Sequence, residues 1–288
     1  MIFEWGKKTY VMGIVNVTPD SFSGDGLLNL EASPLGSREA AVKQGVQMEK
    51  DGADILDVGG ESTRPGSTPV SLDDELARVI PVVQRLAKEV KVPISVDTYK
   101  AEVARQAVAA LRQAQGKQAR IIINDVWGGR REPGILHVAA EERVPIILMH
   151  NRSQAAAVEG ERYVGIEYKD LMGDIKKELQ EQVDAALATG VAKENIIVDP
   201  GIGFGKTTEQ NLELVNRLDE LKELGYPILV GPSRKSFVGY TLDLPASERL
   251  EGTLAAVTLC IQKGADIVRV HDVLEVKRAT TLADAVVR

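Results

Sequence analysis

Residues 196–206 read Ile196-Ile197-Val198-Asp199-Pro200-Gly201-Ile202-Gly203-Phe204-Gly205-Lys206. Three β-forming aliphatic residues run into a carboxylate, and Pro200, with no N–H to give to a ladder, ends the strand. The stretch reads as a buried parallel strand delivering Asp199 at its C-terminal end. The glycines at 201, 203 and 205 then let the backbone approach a ligand, while Phe204 offers a flat apolar face and Lys206 a cation. An ordinary strand-to-helix turn with a capping Asp would look similar in isolation. Repetition of the same pattern along the chain argues for more.

Eight short apolar, β-rich runs can be read, at 10–15, 55–58, 93–96, 121–123, 145–148, 196–198, 227–230 and 267–270. Their near-continuous hydrophobicity suits strands buried on both faces, as in an all-parallel sheet. Segments of helical period lie between most of them. Leu72, Leu76, Val79, Ile80, Val83, Leu86, Ala87 and Val90 share one face, and Leu250, Leu254, Val257 and Ile261 make another. Gly52, Gly190, Gly225 and Gly264 stand as helix C-terminal stops just before strands. Gly52-Ala53-Asp54-Ile55-Leu56-Asp57-Val58 and Gly264-Ala265-Asp266-Ile267-Val268-Arg269-Val270 are nearly the same phrase. Eight βα units predict an α/β fold, a single (β/α)8 TIM barrel over residues 1–288, with its site at the C-terminal ends of the strands. Residues 31–36 and the irregular stretch 151–174 read as mobile loops, and no Ser-, Gly- or Pro-rich linker divides the chain.

With 288 residues and 44% hydrophobic content the chain can bury a large core. A net charge of -7 argues against nucleic acid or an anionic membrane surface as partner, so an anionic ligand must meet local cations. The single cysteine, Cys260, excludes a disulfide framework and reads as a buried thiol. No signal peptide or membrane-spanning apolar run is seen, which points to the cytoplasm.

The residues that follow the runs are polar at all eight exits: 16–26, 59–66, Asp97-Thr98, Asn124-Asp125, His150, Asp199, 233–236, and Arg269 with His271. Asp97, Asn124 and Asp199 suit a flat heterocycle presenting N–H and C=O edges, since a carboxylate can take two parallel charge-assisted hydrogen bonds. Arg64, Arg269, His271 and the amide of Asn16 suit an oxyanion, most simply a phosphate or diphosphate with a hard cation such as magnesium. A heterocyclic phosphate ester would satisfy both ends. Other readings stand beside these. Asp97 or Asn124 alone could cap a loop, Asp20 after Pro19 fits a turn, and Arg64 fits a surface charge. His150 reads as a satisfied rim histidine, and His137, in a helical run, as structural. Lys206 divides between ligand contact and solvated charge. Lys235 could be a Schiff-base nucleophile, but its place between Arg234 and Ser236 at a helix start favours binding an anionic or carbonyl group.

Asn16-Val17-Thr18-Pro19-Asp20-Ser21-Phe22, Gly59-Gly60-Glu61-Ser62-Thr63-Arg64-Pro65-Gly66, residues 199–206, Ser233-Arg234-Lys235-Ser236-Phe237 and Arg269-Val270-His271-Asp272-Val273 together resemble the dihydropteroate synthases. The likeness runs from about residue 10 to 275. It implies a folate-pathway transferase that joins 6-hydroxymethyl-7,8-dihydropterin diphosphate to 4-aminobenzoate, releasing diphosphate. By motif position, Asp97, Asn124, Asp199 and Lys235 would hold the pterin. Asn16 would bind magnesium, with Thr63, Arg64, Arg269 and His271 around the diphosphate. Phe22, Thr63, Pro65, Phe204 and Ser236 would shape the aminobenzoate site, where sulfonamides also bind. Asp25 would be the loop carboxylate that stabilises the reacting pterin, and a homodimer is expected.

The implied reaction is a dissociative substitution at the pterin methylene, with carboxylates favouring a cationic pterin and no covalent enzyme intermediate. The chain departs from the family's usual pattern in four places. Asp25 lies one residue later than is common, and Trp127 stands where a small residue is usual. The segment 111–120 is long, and the strand-five exit Met149-His150-Asn151-Arg152 matches only in part. A methyltetrahydrofolate-type methyltransferase would share the pterin residues but has no use for the first-loop, Ser-Arg-Lys and Arg-Val-His motifs. A non-catalytic pterin-binding paralogue would keep the same pocket without turnover, and an aldolase would use Lys235 as its nucleophile.

Overall fold

The computed structural model describes residues 3–17, 34–62, 67–116 and 120–288. Eight parallel strands form the barrel: β1 (Tyr10–Asn16), β2 (Ile55–Gly59), β3 (Ile94–Asp97), β4 (Ile121–Asp125), β5 (Ile146–Met149), β8 (Ile196–Asp199), β9 (Leu229–Val230) and β10 (Ile267–Val270). Their order around the sheet is β8-β5-β4-β3-β2-β1-β10-β9. A parallel bridge from Val198 to Ile228, with the Val198 N–H on the Pro227 carbonyl at 2.9 Å, brings the two edges together. The strands are the eight runs expected from the sequence, shifted slightly. Pro93, Pro145 and Pro227 fall just outside their ladders because they have no N–H, yet each carbonyl still accepts a neighbouring strand's N–H.

Around the barrel run α1 (Pro34–Lys50), α2 (Leu72–Glu89), α3 (Ala101–Gln115), α4 (Gly134–Glu142), α5 (Leu171–Thr189), α6 (Thr208–Asn216), α7 (Ser236–Leu242), α8 (Leu250–Gln262) and α9 (Val273–Val287). Ser71 caps α2 by accepting the Asp74 N–H at 3.1 Å, and Thr207 with Gln210 closes a capping box on α6. Gly52, Gly190, Gly225 and Gly264 all have positive φ, from 73 to 101°, as helix stops ahead of strands require. Cys260 is buried, and burial pushes its thiol up to about 12.

Two expectations need correction. Residues 34–36, read as loop, open α1, because Pro34 is tolerated in a helix's first turn. The stretch 151–174 is not a structureless loop. It carries a 3-10 turn at Ser153–Ala155 and an antiparallel hairpin of β6 (Ala157–Glu159) and β7 (Arg162–Val164). The Glu161 carboxylate near the hairpin's tip is tied to Arg249 at 2.9 Å.

The barrel interior positions the site. Tyr10, Met12, Ile55, Ile122, Ile147, Ile197, Leu229 and Ile267 form one inner apolar cluster, with Phe3 joining it. Side chains alternate along a strand, so residues two places further on also face inward. That places Asp57, Asn124, Met149, Asp199 and Arg269 one layer above Ile55, Ile122, Ile147, Ile197 and Ile267. The remaining core lies between strands and helices.

Candidate active site

The layer above the apolar plug is charged and mutually paired. Arg269 donates through Nε to Asp57 Oδ2 at 2.6 Å and through Nη2 to Asp97 Oδ2 at 2.6 Å. Asn124 Nδ2 donates to the same Asp57 oxygen at 3.0 Å. Asp97 and Asn124 are register partners on β3 and β4, so they stand side by side. Burial raises the Asp97 carboxyl to about 7, and the nearby Asp57 charge adds to this, while Arg269 opposes it. Those same carboxylates hold the Arg269 guanidinium above its ordinary value, outweighing burial.

Across the cleft Asp199 Oδ1 accepts the Gly201 N–H at 2.7 Å. Burial raises Asp199 to about 6 against that bond and the charges of Lys235, Lys206 and Arg269. Lys235, at the N-cap of α7, donates to the Ile202 carbonyl and sets its Nζ 4.0 Å from the centre of the Phe204 ring. Burial lowers its ammonium to about 7 although Asp199 favours the charge. Gly203 is required here, because φ is +79° and a Cβ would come within 2.5 Å of the Lys235 side chain.

The eighth-strand exit is held from behind. Ser233 Oγ accepts the His271 N–H at 3.2 Å and lies 3.0 Å from His271 Nδ1. The two contacts together fix the His271 ring against the β9 exit. Arg234 adopts a left-handed φ of 55° and forks onto both Asp272 oxygens, at 2.6 and 3.0 Å. The buried Arg249 donates to the Arg234 carbonyl at 3.1 Å, fixing the turn from which Lys235 projects. Ile14, Asn124, Asp199, Phe204, Lys235, Arg269 and His271 all line one open cleft at the strand ends.

The family described as pterin binding enzyme matches residues 12–271. The chain is 48% identical over 287 residues to the dihydropteroate synthase of Clostridium beijerinckii, covering 99% of this chain and 97% of that one. With its Bacillus subtilis counterpart the identity is 50% over 282 residues, covering 98% and 90%. The chain belongs to the dihydropteroate synthases of the pterin-binding enzyme family. Among solved structures, the Clostridium difficile dihydropteroate synthase, crystallised in the presence of pteroic acid, superposes with a TM-score of 0.88 at 44% identity over 99% of both chains. The Xanthomonas albilineans enzyme with 4-aminobenzoic acid gives 0.84 at 43%, over 97% and 93%. The Yersinia pestis enzyme with a sulfonamide drug gives 0.84 at 39%, over 97% and 94%.

Of the synthase residues expected from sequence, the structure brings Asn124, Asp199, Lys235, Phe204, Arg269 and His271 to one cleft and pairs Asp97 with its Arg269. Asn16 ends β1 beside Gly59, two places beyond the cleft-lining Ile14, and Ser236 opens α7. Phe22, Asp25, Thr63, Arg64 and Pro65 lie outside the described residues, as does Asp20. Lys206 is not the solvated charge that one of its two readings expects. It is 2% exposed and bonds to the loop behind Phe204. His150 is fully buried, but it is not the fully satisfied rim histidine expected, because among the described residues its Nε2 has no hydrogen-bond partner, and His137 sits exposed on α4. Trp127 is half-buried and faces the guanidinium of Arg131 at 5.1 Å, which also covers Tyr99 at 4.4 Å.

Sequence reading of the synthase passed over Asp57. It is fully buried, and it anchors both Arg269 and Asn124. The signal was present: Ile55-Leu56-Asp57 repeats the two-residue step of Ile197-Val198-Asp199, a charge on the inward side of a buried strand. Because Asp57 lies inside the strand and not past its end, a search of the exits alone missed it.

Proposed function

We propose that this chain condenses 6-hydroxymethyl-7,8-dihydropterin diphosphate with 4-aminobenzoate, and that the inward layer of Asp97, Asn124 and Asp199 is where the pterin is read. The observation that carries this is the joining of Asp97 and Asn124 through Asp57 and Arg269, opposite Asp199 with Lys235. A flat aminopyrimidinone needs acceptors for its N–H groups and a donor for its carbonyl, and these walls supply both. Phe204, with Lys235 over its ring, and Ser236 at the helix start face the second substrate in this reading, and a sulfonamide would occupy the same place.

The reaction breaks the bond between the pterin methylene and the diphosphate oxygen, whose electron pair leaves with diphosphate. The aminobenzoate nitrogen then forms the new C–N bond and loses a proton. Asp97 and Asp199 favour the transient positive charge on the pterin, and Arg269 and His271 favour the negative charge on the departing group. Asp25, Thr63 and Arg64 join these roles by motif position, as do Phe22 and Pro65 for the aminobenzoate.

Asn16 fits a magnesium ion carried by the substrate. Among the described residues no group of three or more His, Cys, Asp or Glu side chains could hold a metal alone, whereas a single amide oxygen suits an ion that keeps waters and takes phosphate oxygens. Bound there, magnesium would neutralise the leaving diphosphate. We also place the protein in the cytoplasm as a homodimer. Among the described residues no helix is long and apolar enough to cross a membrane. Leu259 on α8 with Leu282 and Val286 on α9 are 51%, 71% and 77% exposed on two helices that pack together, which suits a second copy.

The test is diphosphate release by the purified protein with magnesium and both substrates, omitting each in turn. Release that needs all three, with dihydropteroate in equal amount, is expected. Tight pterin binding without release would indicate a non-catalytic pterin-binding paralogue instead.

A further inference from the structure

Behind the loop that follows β8 runs a chain of polar side chains that reaches the cleft through the loop's backbone carbonyls. His150, the first residue past β5, is fully buried, and Lys206 is 2% exposed. The Lys206 Nζ meets three polar atoms: it donates to the Gly201 carbonyl at 2.9 Å and the Phe204 carbonyl at 3.2 Å, and it lies 3.0 Å from His150 Nδ1. The two carbonyls can only accept, so two of the Nζ–H groups are committed to the loop backbone and the third contact ties Nζ to the ring. On the ring's other side His150 Nε2 lies 3.2 Å from Glu178 Oε2, close enough for the carboxylate to face it. Glu178 is gripped in turn by Arg152, whose guanidinium stacks 4.1 Å from the Tyr168 ring. The Tyr168 hydroxyl donates to the Gly205 carbonyl at 3.0 Å.

Three carbonyls of one short loop, at Gly201, Phe204 and Gly205, are thus tied from behind. The loop has little conformational preference of its own, since Gly201, Gly203 and Gly205 all have positive φ. On its front side it presents the Phe204 ring, and the Ile202 carbonyl accepts from Lys235. We propose that His150 and Lys206 are positioning residues for the aminobenzoate subsite: the Glu178–His150–Lys206 chain sets the height and tilt of Phe204 by holding the carbonyls on either side of it. This rests on the synthase reading above. Asp199 is fixed by β8 itself and meets the chain only through the Gly201 N–H and the Lys206 charge, so the pterin end depends less on it than Phe204 does.

The test compares Lys206→Met, His150→Leu and His150→Asn with wild type, the last keeping a polar group near the place of Nδ1. The readouts are KM for 4-aminobenzoate, kcat, calorimetric Kd for 6-hydroxymethylpterin, and melting temperature. We expect Lys206→Met and His150→Leu to raise the aminobenzoate KM at least ~10-fold, with the pterin Kd changed less than ~3-fold and His150→Asn returning KM most of the way. If Lys206→Met does not fold, the His150 pair decides alone. An unchanged KM in folded variants, equal shifts of KM and Kd, or His150→Asn no better than His150→Leu would overturn the proposal. A wild type that forms no dihydropteroate would overturn the synthase reading with it, whereas an active wild type with unaffected variants would overturn only the positioning role.

Discussion

Arg269 Nε reaches Asp57 Oδ2 at 2.6 Å across β1, the strand that separates β10 from β2. The same guanidinium holds Asp97, so two carboxylates share one cation inside the barrel. Among the described residues the second Asp57 oxygen has no hydrogen-bond partner, so the pairing with Arg269 and Asn124 carries the whole compensation for burying this charge. Breaking one partner of a buried ion pair costs about 3–5 kcal/mol, because the other charge is left behind. Asp57→Ala is therefore expected to lower unfolding free energy by about 3 kcal/mol in urea titration. It should also weaken pterin binding, since Asn124 loses its acceptor and Arg269, which holds Asp97, loses one of its two carboxylates. An unchanged urea midpoint would contradict this role.

Asp199→Asn should weaken pterin binding by about 2 kcal/mol, roughly 30-fold, at pH 8, as a charge-assisted pair becomes a mismatched amide. The wild-type carboxyl is pushed up to about 6 by burial, so below that pH it carries a proton and comes to resemble the amide. The deficit read by calorimetry should therefore shrink at pH 5.5. A deficit that grew with acid would refute it.

His150 makes acid destabilising. Burial first, and then the Lys206 charge, hold its pKa down to about 3. Between pH 6.5 and 3 the unfolded chain carries a proton on this ring and the folded chain does not. Stability is complete above the unfolded value and is lost as the pH falls, by up to about 1.4 kcal/mol per pH unit for one proton. Glu178, held low by His150 and Arg152, pushes the same way at lower pH. Urea midpoints from pH 7 to 4 should fall less steeply for His150→Asn than for wild type, and parallel profiles would count against it.

The apolar patch on α8 and α9 predicts the assembly. Wild type should sediment at twice the 31.2 kDa chain mass, and Leu282→Lys with Val286→Lys should move it toward the monomer while leaving the melting curve of the barrel cooperative. A wild type that sediments as a monomer would remove the dimer from the proposal.

Magnesium withdrawal separates substrate ends. Chelation should abolish diphosphate release but leave the affinity for 6-hydroxymethylpterin within ~2-fold, because Asn16 is assigned to the diphosphate end. Loss of pterin affinity on chelation would contradict that assignment.

By itself the sequence determined the barrel and most of its mouth. Apolar runs buried on both faces, helical periods between them and glycines with left-handed φ are local properties, set by sterics and hydrophobic spacing within a few residues. Asp97, Asn124, Asp199 and Lys235 were legible for the same reason, as polar residues where an apolar run stops. The motifs after β1 and β2, with Asp25 and Arg64, were legible only as sequence. Only tertiary structure decided what those charges do to one another. Arg269 meets Asp97 from 172 positions away, which depends on how the strands close into a barrel and on no local pattern. Lys206 looked like a loop cation because its three polar partners include backbone carbonyls and a ring from another strand's exit. Asp57 became a site residue once the inward face of β2 was known, since a charge in a buried strand has meaning only through the partner that closure brings to it.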